Sequence, residues 1–164
     1  MDPNLQLIKF ERTDVWREGK WLDLWSVVHF LSGVSVAFSF YLLHFGALAS
    51  VALAFVGLVA YEMWEVIVKI EETPTNRFMD VVVGMTSFVP AFFIMAPRLT
   101  AQQFAYAFVL VLLVNILSSM IGWRASQKAA ELQKRMRQRY ESERKKLLKQ
   151  KTHLKERFKH GHRF

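Results

Sequence analysis

The sequence predicts an all-α, polytopic membrane protein: a four-transmembrane-helix bundle with a long basic cytoplasmic C-terminal helix. Three observations predict it. Four apolar runs each approach the 20 or so residues needed to cross a hydrocarbon core roughly 30 Å thick. Charge is segregated: residues 22–123 hold only nine Asp, Glu, Lys or Arg, whereas 124–164 hold 15 Lys/Arg against 4 Asp/Glu. The Lys and Arg near the runs fall almost all on one side. That distribution excludes an ordinary soluble globule and a uniformly disordered chain. The 164 residues allow one domain with an appendage. They divide into a cytoplasmic N-terminal or interfacial segment (1–21), a four-helix transmembrane domain (22–123) and a basic amphipathic helical tail (124–164). Cysteine is absent, which excludes disulfides, thiolate metal sites and a cysteine nucleophile.

At the N-terminus, Leu5, Ile8 and Trp16 among balanced charges fit a short interfacial helix, or equally a frayed end. The four spans read as about 22–45, 47–68, 79–97 and 104–123. The first run is much longer than a signal-peptide core of roughly 7–15 residues, so it reads as a span and not as a cleaved leader. Pro90 lies inside the third span, where it lacks the amide that a helix needs and predicts a kink. With four spans, both ends of the chain and the loop at 69–78 share a side. That side carries 21 Lys/Arg, and the other carries Arg98 alone. Both termini are therefore expected in the cytoplasm. Trp16, Trp21, Trp25, Trp64 and Trp123 then fall toward that face as an interfacial belt.

The tail is rich in Ala, Leu, Glu, Gln, Lys and Arg, all good helix formers. It is expected to continue the fourth helix. Ala125, Ala129, Leu132, Met136 and Tyr140 form one apolar stripe at helical spacing. Lys128, Lys134, Arg135, Arg137, Arg139, Arg144, Lys145 and Lys146 supply the surrounding positive charge. The partner this pattern best fits is membrane lipid, through anionic head groups at the cytoplasmic face. A homo-oligomer or other membrane subunits are the next reading. Nucleic acid ranks last, because no base-reading motif accompanies the charge.

Ionisable groups inside a membrane are costly, and each asks for a reason. At about 1.5 Å per residue, His29 lies about 10 Å in from the cytoplasmic end of the first span, and Glu62 about 9 Å in on the second. Glu65 is nearer water, Asp80 stands at the mouth of the third span, and Asn115 lies at a similar depth on the fourth. Glu62, Glu65 and Lys69 share a helix face, and Glu65–Lys69 is a favourable i, i+4 pair. His29 shares a face with Gly33, and Asp80 with Gly84, the small residues that let helices approach. These residues predict a polar pocket open to the cytoplasm, built from His29, Glu62, Glu65, Asn76, Asp80 and Asn115. No cofactor is fixed by the sequence. A divalent metal ion is the candidate, with His29, Glu62, Glu65 and Asp80 as its ligands. Interhelical hydrogen bonding and ion pairing, such as His29 with Glu62, is the plainer reading of the same residues.

The strings HFLSG (from His29), YEMWEVI (containing Glu62-x-x-Glu65) and TNRFMDVVVG (Asn76-x-x-x-Asp80-x-x-x-Gly84) resemble the VanZ-like group of small bacterial integral membrane proteins. The resemblance covers about residues 22–95 and implies a bundle of membrane helices in the bacterial inner (plasma) membrane. It implies shared importance for His29, Glu62, Glu65, Asn76 and Asp80, and it supplies no reaction. The basic tail is not part of that pattern.

No phosphate-binding glycine loop, serine nucleophile elbow or His-Glu-x-x-His stretch is present, and no catalytic residue is assigned. The leading expectation is a non-enzymatic binding, envelope or assembly factor that uses the helix bundle and tail. A membrane enzyme acting on lipid-linked substrates through the His/Glu/Asp cluster is the alternative, and an oligomeric channel or transporter the second alternative.

Overall fold

The computed structural model describes residues 16, 17, 19, 21–68 and 73–160, with side chains as far as 152. Leu5, Ile8 and Lys69 lie outside the described residues, and with them the interfacial helix and the Glu65–Lys69 pair expected above. All regular structure among the described residues is helical. Helix α1 runs Leu24–Leu42, α2 Ala47–Ile67, α3 Pro74–Pro90 and α4 Ala101–His160. Between α3 and α4 the chain passes through a π-helical turn, Ala91–Met95, and a 3₁₀ turn, Ala96–Arg98. Four helical segments are long and apolar enough to cross a membrane: α1, α2, Pro74–Arg98 and α4.

Local chemistry sets the helix starts. Asp23 caps α1 by accepting from the amides of Trp25 and Ser26, while the Ser26 hydroxyl receives the Asp23 amide, a reciprocal capping box. Thr73 caps α3 through the Asn76 amide, and Pro74 occupies the first turn, where its missing N–H costs nothing. The third helix thus begins at Pro74, five residues before the span expected at 79–97. Asn76 lies inside the helix and not in a loop, and Asp80 sits well past its mouth. At the other end, Pro90 is where α-helical geometry gives way to the π turn. The ring removes one amide from the ladder, and the backbone relaxes into the wider turn.

The described residues divide into two compact units, one within 14–126 and the other from 127 onward. The first unit is a bundle with α1 and α3 at its centre. Its core consists of Phe38, Phe88, Ala37, Ala91, Ala54, Val34, Phe92 and Ala96. Phe104, Ala107, Phe108 and Val111 of α4 pack against it. Phe38 meets Phe104 with ring centroids 5.1 Å apart, and Phe88 stacks on Phe92 at 5.7 Å. Such aromatic pairs add about 0.5–1.5 kcal/mol each beyond the area they bury.

One crossing decides the rest. A Cβ placed on Gly33 would overlap the Gly84 carbonyl and the Ser87 hydroxyl, so α1 and α3 touch backbone to backbone. A Cβ on Gly84 would in turn strike the Leu58 side chain of α2. Three helices therefore converge at Gly33, Gly84 and Leu58.

In the second unit, residues 127–152 are helical and mostly exposed. Arg135 pairs with Glu131 at 2.6 Å and Arg137 with Glu141 at 3.3 Å, both at i, i+4 spacing. Of the expected apolar stripe, Ala129 and Tyr140 are half-buried within the structure, whereas Leu132 and Met136 are exposed.

Candidate functional site

One helical turn from the triple crossing, on the same side along each helix, stand three ionisable residues. His29 precedes Gly33 by four residues and Asp80 precedes Gly84 by four. Glu62 follows Leu58 by four, on the helix that runs the opposite way. Residues four apart share a face, so three helices that meet at one level also meet one turn away. All three side chains are buried: His29 is 8% exposed, Glu62 6% and Asp80 2%.

The imidazole lies between the two carboxylates. Its Nδ1 is 3.8 Å from Glu62 Oε1, and its Nε2 is 3.8 Å from Asp80 Oδ2. One ring nitrogen, one Glu62 oxygen and one Asp80 oxygen all fall within 4.8 Å of one another. Among the described residues this is the single such grouping of three potential metal ligands. The Tyr61 ring closes one edge of the imidazole in a T-shaped contact at 5.7 Å.

Asp80 is held on both oxygens. Ser26 donates its hydroxyl to Oδ1 at 2.8 Å, and Asn76 donates its amide to Oδ2 at 3.3 Å. Asn76 also donates to Asp23 Oδ2 at 3.0 Å, and the same Asp23 oxygen receives the Gly19 amide at 2.7 Å. A hydrogen-bonded chain thus runs from the residues before α1 through Asp23 and Asn76 to Asp80. Fixed carboxylates of this kind are pre-oriented for a ligand, since little side-chain freedom remains to be lost.

The structure unites four of the six residues expected in the pocket: His29, Glu62 and Asp80 face one another, and Asn76 supports them from α3. Glu65 is half-exposed, one turn nearer the end of α2, and is not in the three-residue grouping. Asn115 is turned elsewhere. Its amide donates to the Ser32 hydroxyl at 3.1 Å and ties α4 to α1. Asp23 and Ser26 were not expected at the site. The Asp23-x-x-Ser26 spacing of a capping box marks the start of α1, but only the fold brings Asn76 and Asp80 against that cap.

At the same end of the bundle, Trp16 covers Gly122, where a Cβ would lie 2.6 Å from the indole ring. Trp25 donates its indole N–H to the Trp16 carbonyl at 3.2 Å, and the two rings meet at 5.2 Å.

No family model, curated protein or solved structure matches the chain. The comparisons thus lend no support to a VanZ-like assignment.

Proposed function

We propose that the chain is an integral membrane protein that crosses the bilayer four times with both termini in the cytoplasm, and that it works as a non-enzymatic binding factor. Its ligand is held at His29, Glu62 and Asp80, and the basic tail engages anionic head groups. The observation that carries this reading is the meeting of three buried ionisable side chains from three separate helices. Membrane helices can be pinned together by neutral groups, as Asn115 and Ser32 do for α1 and α4. Two carboxylates around one imidazole exceed what pinning requires, and ionisable groups within membrane helices mark functional sites by default. The outward faces support insertion: large apolar residues such as Leu48, Ile67 and Leu110 are exposed on the bundle surface.

Native mass spectrometry of the full chain, extracted from its membrane in mild detergent, tests the reading. The wild type is expected to carry a bound species that the Glu62→Gln/Asp80→Asn double variant lacks. A wild type that carries none, or a double variant that keeps it, overturns the binding role.

A further inference from the structure

We infer that the ligand is a divalent first-row transition cation coordinated by one nitrogen of His29 and the carboxylates of Glu62 and Asp80. This inference rests on the binding-site reading above and specifies its occupant.

Charge comes first. Two carboxylates and a neutral imidazole carry a formal charge of −2, and a divalent ion brings the buried site to zero. A divalent ion matches the charge of these three ligands by itself, and a monovalent ion matches only half of it.

Ligand chemistry narrows the ion. Calcium and magnesium favour shells made wholly of oxygen, whereas an imidazole with carboxylates suits zinc, manganese, iron or cobalt. With no cysteine in the chain, thiolate-selected Cu(I) is disfavoured.

Geometry is compatible. Ligand atoms bound at about 2.0–2.2 Å to one tetrahedral ion lie about 3.4 Å apart. One His29 nitrogen and one oxygen each of Glu62 and Asp80 lie within 4.8 Å of one another, so closing on an ion takes an inward shift of roughly 1 Å. The two 3.8 Å separations involve opposite ring nitrogens, Nδ1 toward Glu62 and Nε2 toward Asp80. Glu62 has the longer side chain, with one more rotatable bond than Asp80, so it supplies most of the remaining adjustment. Asp80 is the fixed member, with Ser26 and Asn76 on its two oxygens in the manner of outer partners that orient metal ligands. Three protein ligands leave at least one coordination position for water or a second ligand.

The full-length chain in detergent, stripped with a chelator, is equilibrated with zinc alone and desalted, and its metal content is measured. His44, His153, His160 and His162 set a background shared by every variant. Above that background the wild type is expected to hold one zinc per chain, as should Glu131→Gln, whose site in the tail is exposed. His29→Ala, Glu62→Gln and Asp80→Asn should each lose it, and excess magnesium or calcium should not displace it from the wild type. Cobalt(II) with the wild type gives a readout that needs no variant to fold. A four- or five-coordinate site should show visible d–d absorption well above that of the hydrated ion, with no thiolate charge-transfer band. Wild-type zinc equal to that of His29→Ala, displacement by magnesium or calcium, or a cobalt spectrum of the hydrated ion would each overturn the cation assignment. A wild type that takes no zinc but carries another species, lost in Glu62→Gln/Asp80→Asn, overturns this inference and leaves the binding site standing. Absence of both removes both.

Discussion

Gly33 of α1 rests on Gly84 of α3 so closely that a single added methyl would overlap the Gly84 carbonyl. That contact sets the spacing of the site one turn away, because His29 and Asp80 each stand four residues before one of the two glycines. Gly33→Ala should therefore force α1 and α3 apart, at an overpacking cost of about 1–3 kcal/mol. Ligand binding at His29 and Asp80 should weaken with it. Gly57→Ala is the matched control, since a Cβ there meets nothing within 4 Å. Thermal unfolding in detergent should show a clear drop for the first variant and little change for the second.

Asn76 is the link between Asp23 and Asp80. Replacing it with Ala removes the amide that donates to both carboxylates. Two acidic groups would then lose a shared donor in a buried place, which costs roughly 1–3 kcal/mol. Because Asp80 would lose the amide donor on its Oδ2, zinc affinity should fall by about 10–100-fold, the usual effect of removing an outer partner. Chelator competition on wild type and Asn76→Ala measures that ratio. An unchanged affinity would show that Asp80 is oriented without Asn76.

Topology can be mapped because the chain has no cysteine of its own. Ala47→Cys lies at the exposed start of α2, and Lys128→Cys in the exposed part of the tail. In sealed right-side-out vesicles, a membrane-impermeant thiol reagent should label Cys at 47 directly. Cys at 128 should react only after the membrane is opened. The reverse pattern would invert the protein and place the site near the opposite face.

Residues 124–164 carry 15 Lys/Arg and 4 Asp/Glu. In the described part, Arg135 and Arg137 are already engaged by Glu131 and Glu141, but such exposed pairs are worth only about 0.3–0.5 kcal/mol and do not cancel the excess. A tail peptide should bind vesicles containing anionic lipid and release them as salt rises, because the Debye length is about 8 Å at physiological ionic strength. Neutral vesicles should bind little. Equal binding to both, or insensitivity to salt, would rule out the head-group role.

The four helices were legible because apolar runs of this length have few other uses. Their ends were less so. The stretch from Glu71 to Arg77 reads as polar loop by composition, yet Thr73 and Pro74 form a cap and first turn that start α3 there. The signal was present in that dipeptide, but the surrounding charge concealed it. Depth along each helix was also readable, and it placed His29, Glu62 and Asp80 in one layer. Depth alone does not say which way a side chain turns about the helix axis. Asn115 shares the layer and faces Ser32 instead. The glycines at 33 and 84 carry the missing rotational information, since the faces that hold them must meet. Asp23 escaped notice at the site because its local role as the cap of α1 already accounted for it.

The central claim is that His29 and Asp80 belong to one site, and a double-mutant cycle on unfolding free energy tests it most directly. His29→Gln, Asp80→Asn and the double variant are compared with the wild type in metal-free detergent. If the two side chains act together, the double variant should lose less than the sum of the singles, by an interaction energy of about 0.5–3 kcal/mol. Additivity within about 0.5 kcal/mol would mean that each residue answers to different neighbours, and it would contradict the site.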